Sequence, residues 1–222
     1  MVQYTLPGGK LNRGTMVHLM LEDIQAAANG GVQCTPAELR ETAHVLGWCV
    51  ELVQAGFLVA DDMMDGSVTR RGGPCWYMRP EVGTVAINDA LILLSLVFRL
   101  LRRHCLELPA YSPLLELFNE VIFVTELGQL LDTTGVAKVE ADMAQFTKAY
   151  YKTIVHCKTA DYTFYLPTAC AMALSEVSDP AAYAEARAVC RAIGEYFQVC
   201  CCGRGEGRGE EPANQPTSQP TN

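Results

Sequence analysis

The chain has 222 residues, half of them apolar and 19% charged, which excludes a disordered or collagen-like polymer and leaves room for a sizeable core. Its 25 Asp and Glu outnumber its 17 Lys and Arg, for a formal charge of −8. This balance argues against broad nucleic-acid binding and leaves anions only local basic pockets.

At the N-terminus, MVQYTLPGGKLNRG has neither an apolar signal core nor an Arg/Ser-rich transit pattern, so a cytoplasmic location is expected. Within it, Gly8-Gly9-Lys10-Leu11-Asn12-Arg13-Gly14 is a small basic cluster in a glycine-rich turn, and it does not fit the P-loop pattern. Thr35-Pro36-Ala37-Glu38 reads as a capping box with Pro at the first helical position. Leu39, Ala43, Leu46, Val50, Val53 and Phe57 then recur at spacings of three and four, predicting a helix from about Pro36 to Asp65. Gly66 and Ser67 interrupt it, and Arg70-Arg71-Gly72-Gly73-Pro74 is loop chemistry.

Further helices are expected at roughly 84–104, 113–132, 139–157, 159–175 and 180–198, with Asp179-Pro180 as the last start. The apolar run from Ala90 to Phe98 is closed by Arg99, far short of the roughly 20 residues a spanning helix needs, so no membrane span is expected. Strand alternation is absent, and several segments are apolar on more than one face, so the fold class is an all-α bundle. Composition breaks at Cys200: residues 1–199 form the helical domain, and 200–222, with four Gly, three Pro and no aromatic residue, read as a disordered low-complexity tail. Seven of the ten cysteines stand singly, three are adjacent at Cys200 to Cys202, and no C-x-x-C pair occurs. Reduced thiols, rather than zinc ligands, are expected.

The chemistry concentrates at Asp61, Asp62 and Asp65. On a helix, Asp61 and Asp65 lie about 40° apart and one turn apart, with Asp62 beside them. A helix C-terminus already carries partial negative charge, so three acids there call for a cation. A hard divalent ion suits oxygen ligands, and Mg²⁺ takes one or two carboxylates and completes its shell with phosphate oxygens and water. Standing alone, DDMMD is more often a solvated helix end. It is followed, however, by Arg70 and Arg71, and the GGKLNRG turn supplies a second basic group. An acid cluster with separated cations points to two polyphosphate groups, one held through metal and one by direct cations.

On these residues the chain resembles the trans-prenyl diphosphate synthases, and among them the farnesyl diphosphate synthases. The resemblance is carried by GGKLNRG (8–14), ELVQAGFLVADDMMDGSVTRRG (51–72), CWYMRP (75–80), the INDA run (87–90), TELGQLLD (125–132), CKTADYTFYLP (157–167) and GEYFQV (194–199), in order. It implies an isoprenoid-synthase-type helical bundle around a central cavity. It also implies a Mg²⁺-dependent prenyltransferase of isoprenoid biosynthesis, condensing isopentenyl diphosphate with dimethylallyl or geranyl diphosphate. By resemblance, Asp61, Asp62, Asp65 and Asp132 bind metal, Arg70 and Gln129 serve the allylic diphosphate, and Lys10, Arg13, Gln54 and Arg71 form the isopentenyl diphosphate pocket. Lys158, Thr159, Tyr162 and Gln198 stand beside the allylic diphosphate and the developing cation. Gly56 and Phe57 occupy positions that set chain length, where the farnesyl-forming relatives carry two aromatic residues. Gly56 is thus expected to open room along the tail.

The resemblance also sets departures. In the family, GEYFQV is followed by a second aspartate-rich motif, whereas here Val199 is followed by Cys200-Cys201-Cys202. A synthase domain incomplete at both ends is expected, with impaired or no turnover. The alternative is a non-catalytic form that binds diphosphate, or one that dimerises with a full-length synthase. Homodimerisation is the family's implied assembly.

Overall fold

A computed structural model describes residues 1–32, 35–141 and 147–203, with the side chains of 136–141 and 201–203 outside the description. The strongest apolar period in the sequence becomes helix α3, Ala37–Met64, which buries Leu46, Val50, Val53 and Val59. The start differs from expectation by one residue. Pro36 is the N-cap, with ψ 142°, and no side chain caps the helix. Thr35 therefore lies one position too early for a capping box, and its hydroxyl is buried without a partner among the described residues.

Ahead of α3 stand a short helix, α1 (Val2–Thr5), and α2 (Asn12–Ala28), to which the sequence reading assigned no element. Its buried residues are few, Val17, Leu21 and Glu22, so the periodic signal is weak. The α2–α3 crossing rests on two glycines: a Cβ on Gly47 would stand 2.6 Å from the Gly14 carbonyl oxygen. Glu51 of α3 accepts the Gly14 N–H at 2.8 Å. This contact fixes the GGKLNRG turn against the main helix.

Beyond α3 the chain makes a two-residue hairpin, β1 (Thr69–Arg70) and β2 (Gly73–Pro74), paired antiparallel with Arg70 opposite Gly73. The sequence reading had no strand here. Both turn residues have positive φ, Arg71 at 54° and Gly72 at 80°, as tight hairpin turns of the primed type require. After short 3₁₀ turns come α4 (Ala86–Cys105), α5 (Tyr111–Ala141) and α6 (Lys148–Ile154). A π-helix, Val155–Tyr165, follows, then α7 (Leu166–Leu174) and α8 (Pro180–Gly203). The predicted helix over 139–157 is divided otherwise: α5 runs on to Ala141, α6 begins after the Thr147 N-cap, and 142–146 lie outside the described residues. The π run continues directly into α7, where Pro167 lacks the N–H of an α-helical bond.

Asp179 caps α8 as expected, accepting the Ala181 N–H at 2.9 Å. That helix extends to Gly203, past the break in composition at Cys200, and the remaining tail, 204–222, lies outside the described residues. The bundle is all-α apart from the hairpin. Nearly every residue of α7 is buried, and α3 packs on α2, α4 and α7.

The cysteines within this core behave as small apolar residues. Burial, aided by neighbouring Cys105, pushes the Cys49 thiol up to about 12, and burial pushes Cys105 to about 11. Two segments, Ala37–Met64 and Gly83–Cys105, are long and apolar enough to cross a membrane by length and composition, with 61% and 28% of their apolar windows buried in the bundle. The reading that stopped at Arg99 counted unbroken runs, whereas a mean over a longer window tolerates isolated charges.

Candidate functional site

The end of α3 brings Asp61 and Asp62 onto partly different partners, with Arg70 close to both. Asp62 is buried and accepts three hydrogen bonds from Arg70, from Nε at 2.8 Å to each oxygen and from Nη2 at 2.6 Å. The β1–β2 hairpin returns Arg70 to this position. Burial alone would weaken the guanidinium's charge, but Asp62 outweighs it and the net shift is upward. Asp62 thus spends its oxygens on Arg70, which in turn reaches past it to Asp61 Oδ2 at 3.8 Å.

Asp61 faces α5 and the π-helix. Gln129 of α5 donates to Asp61 Oδ1 at 2.7 Å. Lys158 of the π-helix donates to the same atom at 3.1 Å and to Asp132 Oδ2 at 2.5 Å. Gln129 and Asp132, three apart on α5, share a face as their spacing predicted. Burial would lower the Lys158 pKa, yet hydrogen bonding to Asp132 and the Asp61 charge reverse the sign and hold it above its ordinary value. Asp65, exposed at the helix end, is shifted up by desolvation first and then by Asp61. Negative charge is therefore in excess here, and one cation already lies between two acids. Among the described residues no three His, Cys, Asp or Glu side chains stand close enough to hold an ion unaided. An ion held by Asp61 and Asp132 would draw further oxygens from a ligand or water, which is how a hard divalent ion is bound by few carboxylates.

An apolar cavity of about 610 Å³ adjoins this cluster through Gln129, and Phe57, Ala60, Ile87, Leu91, Leu94 and Thr133 also line it. Gly56 also lines it, but the room expected opposite Gly56 is taken: a Cβ there would lie 3.1 Å from Leu94 Cδ2 and 3.3 Å from the Ala90 carbonyl. Phe57 turns its ring to Tyr162, centroids 6.0 Å apart.

The basic residues form a second group. Arg13 donates to Thr163 Oγ1 at 3.1 Å and to the Tyr162 hydroxyl at 3.2 Å, with its guanidinium 5.0 Å from the Tyr162 ring centre. The turn from which it projects is bound to Arg71, whose Nη1 donates to the carbonyls of Thr5, Leu6 and Pro7 at 3.0–3.3 Å. Burial first, then Arg70, lowers the Arg71 pKa. Lys10 is exposed and makes no ion pair among the described residues. The Gln54 side-chain oxygen is buried without a partner among the described residues. Thr159 and Gln198 meet at 3.4 Å, joining the π-helix to α8.

The sequence reading missed Asp161. It is fully buried on the π-helix and ion-paired to Arg187 and Arg191 of α8. A signal was present: two Arg four residues apart share a helix face, and an acid stands in the otherwise apolar and aromatic run TADYTFYL.

Comparison with known proteins places the chain in a family. The family model described as Polyprenyl synthetase matches residues 1–200. The chain is similar to the farnesyl pyrophosphate synthase of Saccharomyces cerevisiae, 46% identical over 198 residues that cover 89% of this chain and 55% of that protein. The farnesyl pyrophosphate synthase of Gallus gallus is 43% identical over 198 residues, 89% of this chain and 53% of its own length. For that of Homo sapiens the figures are 42%, 198 residues, 89% and 46%. The chain spans about half the length of the curated relatives it matches. The acid pair across Lys158, the Arg70 hairpin and the GGKLNRG turn all fall inside the matched span, and the chain belongs to the polyprenyl synthetase family.

Proposed function

We propose that the chain carries the allylic-diphosphate half of a farnesyl diphosphate-forming prenyltransferase, which joins isopentenyl diphosphate to dimethylallyl or geranyl diphosphate. One observation carries this reading: a polar cluster of Asp61, Asp132 and Lys158 adjoins, through Gln129, an apolar cavity of about 610 Å³. A ligand with a highly charged head and a hydrocarbon tail matches that pairing. Asp61, Asp65 and Asp132 are the residues that would hold Mg²⁺, which when bound supplies charge stabilisation for a departing diphosphate.

In this reading Lys158 adds a fixed positive charge beside the leaving group. Tyr162 presents its ring face, and Thr159 and Gln198 their oxygens, to the allylic carbon as positive charge develops. Arg13, with Lys10 and Arg71 on the same turn and hairpin, receives the second diphosphate, and Gln54 would serve it only through its side-chain amide N–H. Arg70 reaches the allylic head only by sharing itself with Asp62.

The exposed apolar side chains of Ile87 and Leu91 on α4, and of Phe123, Leu127 and Leu130 on α5, support pairing with a second copy or with a full-length synthase. Ile87, Leu91 and Leu130 also line the apolar cavity, so such a partner would cover part of it. We read α3 as a bundle helix rather than a span, because most of its apolar window is buried and it carries the site acids. A cytosolic setting accords with the free thiols of Cys49, Cys75, Cys105, Cys157, Cys170 and Cys190.

The test is incubation of the purified chain with Mg²⁺, labelled isopentenyl diphosphate and geranyl diphosphate, with binding and product measured separately. Labelled farnesyl diphosphate supports the enzyme reading. Binding of the allylic diphosphate without product supports a diphosphate-binding chain. Binding of neither substrate overturns both.

A further inference from the structure

The π-helix is the least ordinary element of the fold. Such helices are rare and mostly confined to single turns, yet this one runs for 11 residues, Val155–Tyr165. It carries Lys158, Thr159 and Tyr162, so whatever fixes its rotation fixes the site. Two glycines control its distance from its neighbours. A Cβ on Gly128 of α5 would strike the backbone at Cys157 and Lys158, and a Cβ on Gly194 of α8 would strike Ala160. The Gly128 contact is mostly with backbone, and the Gly194 contact asks only that a residue as small as Ala160 face α8, so the glycines set the spacing closely and the angle coarsely.

The rotation has a separate determinant. Lys158 and Tyr162, four apart, face the cleft, where they meet Asp61, Asp132 and Arg13. Asp161 and Tyr165, also four apart, face α8. Asp161 receives Arg187 at 2.6 and 3.2 Å and Arg191 at 2.8 and 2.9 Å, and the Arg187 guanidinium lies 5.2 Å from the Tyr165 ring centre. Both carboxylate oxygens are used and the carboxylate is wholly buried. Buried ionic groups are a poor means of adding stability over an apolar core, and their best-attested use is to select one register among several.

Resting on the site reading above, we propose that Asp161, through Arg187 and Arg191, is a positioning residue that sets the rotation of the π-helix and so holds Lys158 between Asp61 and Asp132. Rewinding the run toward α geometry changes the rotation per residue, and Lys158 and Tyr162 then cannot both keep their partners. The glycines set the spacing and the ion triad sets the angle.

Carbodiimide cross-linking of the full chain reads this geometry without any ligand. It joins a lysine amine to a carboxylate in contact with it, and the Lys158–Asp132 and Lys158–Asp61 products are quantified by peptide mass spectrometry. Lys152–Glu195, paired at 2.8 Å, reports whether α8 remains docked. The variants are Asp161→Asn alone and Asp161→Leu combined with Arg187→Met and Arg191→Met, which replaces the triad by apolar bulk.

In any variant with a cooperative melt and a parental Lys152–Glu195 yield, the Lys158 cross-links fall about tenfold, and Asp161→Glu recovers part of the loss. Mg²⁺-dependent binding of inorganic pyrophosphate weakens in parallel. Unchanged Lys158 yields in either folded variant overturn the proposal, and so does a lowered melting temperature with parental yields, which would make the triad merely structural. A parent that cross-links at Lys158 but binds no pyrophosphate with Mg²⁺ instead refutes the functional reading while leaving the register question answered.

Discussion

Asp62 and Arg70, eight residues apart, close on each other through three hydrogen bonds of 2.6–2.8 Å, with the carboxylate buried and the guanidinium about one third exposed. The helix end and the hairpin are therefore held as one unit, and the two residues are unequal. Arg70→Leu strands a buried carboxylate and is expected to cost about 3 kcal/mol of unfolding free energy. Asp62→Asn leaves a partly hydrated cation and is expected to cost about 1 kcal/mol. Urea denaturation of both single variants and the double variant measures the asymmetry. Equal losses, or no coupling in the cycle, would show that the pair is a surface contact.

Asp161 gives a pH signature. Burial would raise its pKa, but Arg191 and Arg187 outweigh burial and hold it below the ordinary value of 3.8. A carboxyl depressed in the folded state contributes stability that is fully present above its unfolded value and is lost as pH falls through the folded one. The parent is therefore expected to lose stability more steeply than Asp161→Asn below about pH 4. Parallel acid titrations of circular dichroism check this, and coincident curves would mean that Asp161 does not contribute.

Much of the fold was legible because its determinants are local. The α3 period and the Asp179-Pro180 start are written within a few residues of where they act. The Thr35 capping box failed because Pro36 took the cap, a choice of backbone angle that composition does not record. Asp61, Gln129, Asp132 and Lys158 were each identified, but their convergence brings together α3, α5 and the π-helix and had no local signal beyond the i,i+3 spacing of Gln129 and Asp132. The withdrawal of Asp62 from the cleft was illegible for the same reason, since it depends on how a two-residue hairpin returns Arg70. The π-helix, too, has no period that distinguishes it from an α-helix in so short a run.

Leu94 changes the expectation at Gly56. Sequence alone suggested open room where relatives carry a ring, but the Leu94 side chain and the Ala90 carbonyl already occupy it. Gly56→Phe is expected to destabilise the chain by about 1–3 kcal/mol through overpacking. Adding Leu94→Ala should recover most of that loss, because the side chain can be removed and the carbonyl cannot. Urea midpoints of the two variants provide the check. A neutral Gly56→Phe would mean that the cavity wall yields freely and that the gap is real.

Isothermal titration of the 222-residue chain with inorganic pyrophosphate, with and without Mg²⁺, tests the site most directly. If Asp61 and Asp132 form a metal-assisted diphosphate site across Lys158, a Mg²⁺-dependent component of binding heat appears above any metal-free heat from the Arg13 group, and Asp61→Ala abolishes that component. Asp62→Ala retains it in whatever fraction remains folded, because Asp62 is engaged by Arg70. Binding that is equal without Mg²⁺, or unchanged in Asp61→Ala and Asp132→Ala, would show that these carboxylates are only a solvated helix end.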